Sequence, residues 1–378
     1  MLSIAKGERE EIFLRVTAAV LVEPRRFEMR EFPYPIVGRD DGVVKMEAVG
    51  ICGTDYTQYK GQLNRWNAPY PIIPGHENVG IVDALGDEAA DRWGVKKGDR
   101  VFIDARVPCG HCKWCLSGHY RYCKDDLGYG LHISCERPPY LWGGYGQYMY
   151  LHPNIILHPL PENVSSEEAT LIIALANGVR WVQRAGQVRP GETVLIQGVG
   201  QQGLGCLIAA KECGARVIVS GRGSVDQQRF SVARSMGADE TIDVEKDDLI
   251  DSVLQLTDGE GAELVVEVSG AAAAQQALSE VTRVLGRVVL AGISGGKESP
   301  MNLDRFVQKE IQIQGVFTSD YSSTKEAIRI LAEGRFPFHR LVTHSFPLED
   351  AEHAVRMVGR EITGEDSIHV VLRPYDLV

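Results

Sequence analysis

The stretch ETVLIQGVGQQGLGCLIAAKECGARVIVSG, residues 192–221, admits few folds. Val194–Gln197 reads as a short apolar strand. Gly198, Gly200 and Gly203 then give G-x-G-x-x-G, a helix runs to about Cys213, Gly214 ends it, and Arg216–Ser220 is the next strand. A glycine triplet alone is common, but here it follows a strand and opens a helix. In that setting the first glycine makes the turn and the second lets a pyrophosphate approach the backbone. The third lets helix pack on strand, with the phosphates at the helix N-terminus. The alternative is a glycine-rich turn with no ligand. The alternation continues through the helical QRFSVARSMGAD to strands at Ala262–Gly270 and Gly286–Ser294, with an alanine-rich helix between them. The expected class is α/β, with a doubly wound parallel sheet.

The end of the second strand bears on the cofactor. An acid there would bind the ribose 2′-hydroxyl of NAD. Gly221 stands in that place, followed by Arg222, Ser224 and Arg229, and a small residue with arginines suits a 2′-phosphate. NADP is therefore favoured over NAD, although Asp226 is close enough in sequence to reach back to the ribose.

A second constraint is PCGHCKWCLSGHYRYC, where Cys109, Cys112, Cys115 and Cys123 give C-x2-C-x2-C-x7-C. Short spacers let successive sulfurs fold onto one ion, and four thiolates suit a closed tetrahedral zinc site. An iron–sulfur cluster is the alternative, while cysteines three apart seldom form good disulfides. A closed site leaves no place for substrate, so this zinc would hold a lobe (105–125) and do no chemistry. His111 and His119 read as bystanders.

At 378 residues the chain is long enough for two domains. Its formal net charge of −11 argues against nucleic acid or anionic membrane as partners. No signal peptide or bilayer-length apolar run is seen, since the N-terminal segment carries EREE where positive charge belongs. A cytoplasmic location is expected, and clustered thiols there serve metals more often than disulfides.

Cys52 in GICGTD and His76 and Glu77 in PGHENVG are metal-ligand types, each with a bland reading when taken alone. Together with GDRV (98–101), the four-cysteine loop, GVGQQG and FPLEDAEHAV (346–355), they make the chain resemble the medium-chain dehydrogenase/reductase family, in its zinc-containing alcohol and polyol dehydrogenase branch. The resemblance implies a GroES-like β-rich catalytic domain over 1–160, a Rossmann domain over 161–304 and a return to the catalytic domain over 305–378. It also implies a homodimer or homotetramer, and a cleft where an alcohol exchanges hydride with NAD(P) and a ketone or aldehyde is reduced in reverse. Cys52 and His76 would hold a catalytic zinc, with Glu77 beside them or as an alternative ligand. Thr54 would relay the substrate proton, and Asp55 would orient His76 or the zinc-bound water.

One position departs from the pattern. The family's third zinc ligand falls at Ile173, which cannot bind metal, and no Cys, Asp or Glu lies between Ala169 and Gln183. Three readings stay open: Glu77 completes the set with water in the fourth position, metal binds weakly through two residues, or the catalytic zinc is absent. The last would suit a zinc-independent reductase of the same fold or a non-catalytic nucleotide-binding protein. Asn177 is expected beside the nicotinamide. Tyr56, Trp66 and the aromatic segment 137–148 are expected to line the cleft, which would favour a bulky or cyclic secondary alcohol.

Overall fold

The computed structural model describes residues 14–63, 69–125 and 127–375. Trp66 and the first 13 residues, on which the signal-peptide reading rests, lie outside the described residues.

The N-terminal part is β-rich. Strands β1 (Arg15–Glu23) and β2 (Arg26–Pro33) form an antiparallel hairpin. Strand β3 (Gly42–Ile51) leads directly into the short helix α1 (Gly53–Tyr59). β3 pairs antiparallel with β4 (Glu77–Leu85), which pairs with β5 (Arg100–Ile103). β6 (Tyr148–Leu151) joins the other end of β3, and β7 (Leu157–Pro159) closes on β5. Val44, Met46, Val49 and Ile51 of β3 go into one core with the hairpin and segment 141–151.

Helix α2 (Ile172–Gly178) leads into the second sheet. Strand β8 (Thr193–Gln197), helix α3 (Gln201–Glu212) and strand β9 (Arg216–Gly221) form the glycine-turn unit. Helix α4 (Gly223–Ser235) and strands β10 (Glu240–Asp243), β11 (Ala262–Glu267), β12 (Thr282–Leu290) and β13 (Gln312–Gly315) follow. All pairings are parallel, in the order β10-β9-β8-β11-β12-β13. This is the Rossmann order, whose switch point lies between β8 and β11. The β8 side chains alternate between two cores: Val194 and Ile196 pack with α2, α3 and α5 (Tyr321–Glu333), while Leu195 packs on the opposite face. Burial on both faces explains why the strand reads as an unbroken apolar run.

The chain then returns to the first sheet. Strand β14 (Val342–Pro347) pairs in parallel with β15 (His369–Arg373), and β15 pairs antiparallel with β3. Helix α6 (Ala351–Val358) lies between them in the chain. The return comes later than position 305, because β13 still belongs to the parallel sheet. Its sequence, QIQG, has no apolar run to announce it: it is the outer strand, and all four residues are exposed. Among the described residues no helix is long and apolar enough to cross a membrane.

Candidate active site and metal centres

Strand register builds the first cluster. Gly50 of β3 faces Glu77 of β4, so Cys52 and His76, just past the paired ends, meet there. β15 pairs Ile51 with Val370, which brings His369 to the same corner. Cys52 Sγ lies 3.0 Å from His76 Nε2. Cys52 is also the N-cap of α1: its sulfur accepts from the Thr54 amide at 3.2 Å, and Asp55 accepts from the Cys52 amide at 2.9 Å. This reciprocal cap fixes Asp55 with its other oxygen 3.3 Å from His76 Nδ1.

Glu77 is fully buried, and its carboxylate accepts from Gln201 Nε2 at 3.1 and 3.3 Å. Nδ1 of His369 stands 4.0 Å from the same carboxylate. The Nε2 of His369 is 2.6 Å from the Thr170 hydroxyl, whose own proton goes to the Glu167 carbonyl. His369 is therefore the donor to Thr170, and its Nδ1 is an unprotonated, unpartnered acceptor facing Glu77. Burial holds His369 neutral, lowering it to about 3. Gly50 is glycine for a visible reason: a Cβ there would overlap the Glu77 carboxylate and the His369 ring.

Donor atoms of Cys52, His76 and Glu77 all lie within 4.8 Å of one another. Burial pushes Glu77 up to about 8 and also raises Cys52. Burial by itself would lower His76, but Cys52 and Asp55 outweigh it and raise it well above the usual histidine range. A buried sulfur, imidazole and carboxylate converging at this corner fit a zinc ion with one open position. Ile173 packs among apolar neighbours on the α2 side and contributes no donor.

The second cluster is Cys109, Cys112, Cys115 and Cys123, whose sulfurs also lie within 4.8 Å of one another. None is in a disulfide. Backbone amides turn inward, from Cys112 to Cys109 Sγ and from Cys109 to Cys123 Sγ, both at 3.3 Å. Amides of Cys115 and Lys124 lower Cys112 toward the thiolate, while burial raises the neighbouring Cys115. The two-residue strands Arg106–Val107 and Leu127–Gly128 pair across the neck of this lobe. Four convergent thiols with inward amides fit a closed zinc site.

At the glycine turn, Gly198 has φ +114, and a Cβ on Gly203 would overlap the Gly198 carbonyl. A Cβ on Gly200 would meet nothing within 4 Å, and no side chain caps the helix that begins there. A helix start with no side-chain cap and an uncrowded glycine fits a pyrophosphate. Gln202 takes its own bond from Asn177 Nδ2, at 2.8 Å, so Asn177 is pinned to this turn.

The residues past β9 divide. Arg222 is exposed, and its side chain makes no ion pair among the described residues. Ser224 gives its amide and hydroxyl to Glu245, at 2.7 and 2.8 Å. Arg229 is buried and turned away, pairing with Asp226 at 2.9 Å and reaching the Ser367 carbonyl. The expectation that Arg229 meets the cofactor is thus corrected: its charge serves a buried ion pair. Asp226 also accepts from the Arg222 amide at 2.9 Å and from Arg360 at 2.8 Å, which holds it away from a ribose.

Much of the aromatic segment is core, with Tyr145 in it lying near Cys52, Asp55 and Glu77. Leu141, Trp142 and Tyr145 are buried, and Trp142 packs edge-on against Tyr150. Gly143 and Gly144 have no room for side chains against Ile73, Pro74 and Asn78, so the segment lies flush on the PGHEN turn. Tyr56 is engaged elsewhere, donating to Glu361 at 2.8 Å. Gln201 and His369 went unseen in the sequence, since the motif spacing says nothing of its x positions and His369 sits in an ordinary strand.

A Rossmann sheet joined to a β-rich domain, with three metal-ligand side chains facing the glycine turn, has the parts of a nicotinamide-dependent oxidoreductase. Comparison with known proteins narrows this. Residues 38–162 match the alcohol dehydrogenase GroES-like domain, and 202–333 match the zinc-binding dehydrogenase domain. A probable alcohol dehydrogenase of Mycobacterium tuberculosis is 38% identical over 367 residues, covering 95% of this chain and 98% of its own. A sorbitol dehydrogenase of Bacillus subtilis is 31% identical, covering 89% and 92%. An alcohol dehydrogenase crystal structure from Thermotoga maritima superposes with TM-score 0.86 at 26% identity, over 96% of this chain and all of that one. The chain belongs to the medium-chain dehydrogenase/reductase family, in its zinc-containing branch, and is an NAD(P)-dependent alcohol dehydrogenase.

Proposed function

We propose that the reaction centre is Cys52, His76 and Glu77, acting on a secondary alcohol or a polyol. The carrying observation is the convergence of those three donors on a buried corner opposite the glycine turn. A zinc bound there would supply Lewis acidity, and a nicotinamide would supply the hydride acceptor. Cys52 and His76 would hold the ion, with Glu77 in place of the ligand that Ile173 cannot provide. Thr54, on the first turn of α1 and only partly buried, would take the hydroxyl proton. Asp55 would hold the His76 ring. Gly198, Gly200 and Gly203 would receive the pyrophosphate.

For the adenosine end we propose a preference for NADP, carried by Arg222 beside Gly221. Asp226, the acid closest in sequence to Gly221, is occupied by Arg229 and Arg360. We also propose a homodimer, or a tetramer built from it, through β13. All four of its residues are exposed, as are Val284 and Leu285 of the neighbouring strand β12 and Leu303 and Val307 of the helix before it, and such an edge calls for a partner. A cytoplasmic location suits four metal-binding thiols kept reduced.

The test is turnover of secondary alcohols and polyols with NADP or NAD, before and after dialysis against a zinc chelator. Activity lost and restored by zinc supports the assignment. Activity independent of metal at the Cys52 site refutes it in favour of a zinc-independent reductase.

A further inference from the structure

Gln201 occupies two places at once. It is the first residue of α3, directly after Gly200, so its backbone belongs to the turn where the cofactor phosphates would sit. Its side chain leaves that turn and crosses to the other domain, where Nε2 donates to both oxygens of Glu77. Among the described residues it is the sole hydrogen-bond donor to that carboxylate. On the far side Gly50 leaves just enough room for Glu77, and His369 presents only an unprotonated nitrogen. A buried carboxylate with a single donor takes its orientation from that donor. The next residue, Gln202, is tied to Asn177, so the two glutamines join the turn to different elements.

We propose that Gln201 is a positioning residue for Glu77, and that through it occupancy of the glycine turn tightens metal binding at Cys52, His76 and Glu77. This rests on the reading that those three residues hold a metal. Phosphate bound at the turn fixes the Gln201 backbone. The fixed side chain then holds Glu77 in the position where its oxygen lies within reach of the other two donors. Order supplied by the first ligand need not be supplied again by the second, so each favours the other. The linkage is reciprocal: metal tightens cofactor binding by the same factor.

The experiment uses full-length protein with the four-cysteine site loaded with zinc and the Cys52 site emptied by mild chelation. Cobalt(II) is titrated while its visible absorption is followed, with and without saturating oxidised NADP, or NAD if that binds more tightly. For the native chain the cobalt Kd is expected to fall at least about 5-fold with cofactor, within the usual range of coupling between sites. The cofactor Kd should fall equally with cobalt. In Gln201→Leu, and in Gln201→Met as a second variant of similar size, both ratios should fall to within about 2-fold of unity. In the Glu77→Gln background, Gln201→Leu should add no further change. A native ratio of one, or a ratio that survives in either folded Gln201 variant, overturns the proposal. Absence of any cobalt spectrum in native protein that still binds cofactor would instead strike down the metal assignment on which it rests.

Discussion

Glu77 gives the sharpest energetic prediction. In metal-free protein its carboxyl stays protonated to about pH 8, against 4.5 for an ordinary glutamate, because burial penalises the charge. The folded chain therefore binds a proton that the unfolded chain has released across that interval, and stability must fall as pH rises through it. The contribution is fully present below pH 4.5 and lost above about 8. At 1.36 kcal/mol per pH unit, the whole interval corresponds to about 5 kcal/mol as a ceiling. Glu77→Gln keeps the shape but cannot ionise. The assay is urea unfolding of metal-stripped native and Glu77→Gln proteins in chelator, at steps from pH 5 to pH 9. Titrations of groups remote from Glu77 cancel in the difference, whereas Cys52 and His76, which feel its charge, shift with its removal. The variant should gain on the native protein by several kcal/mol across the series, most of it between pH 5 and 8. A difference constant to about 0.5 kcal/mol over that range would refute the burial argument.

Other predictions follow from single contacts. Thr54→Val should lower kcat about 10²–10⁴-fold, the usual worth of a placed proton acceptor, with metal content unchanged by elemental analysis. Gly203→Ala forces a methyl onto the Gly198 carbonyl, so cofactor KM should rise more than about tenfold and the turn should lose about 1–3 kcal/mol to overpacking; fluorescence titration and thermal melts would show both. Arg222→Ala should cost NADP about 10–100-fold in kcat/KM, the loss of one charge-assisted bond, and leave NAD nearly untouched. Cys123→Ser should remove one zinc per chain and lower the Tm while the Cys52 site still takes cobalt.

What was legible follows from the range of the interaction involved. The glycine turn and the four-cysteine loop are local: their residues meet because they are close in sequence, so spacing alone points to them. Cys52, His76 and Glu77 meet through the β3–β4 register, which required the family pattern to suggest. His369 arrives by a third strand nearly two hundred residues beyond the Thr170 it bonds, and no motif marks it. Arg229 misled because charge composition does not show a partner, and Asp226 three residues earlier claims it. Trp142 misled because an aromatic run suits a cleft and a core equally. Only the tight Gly143–Gly144 contact with the PGHEN turn decides for core. The strand β13 escaped notice because an exposed outer strand needs no apolar signature.

The central claim is that a second metal site exists at Cys52 despite Ile173. Elemental analysis of zinc per chain, on native protein and on Cys52→Ala, tests it most directly. Two zincs falling to one, with the four-cysteine site intact, is the predicted result. One zinc per chain, unchanged in the variant after incubation with added zinc, would contradict it and remove metal from the chemistry of this site.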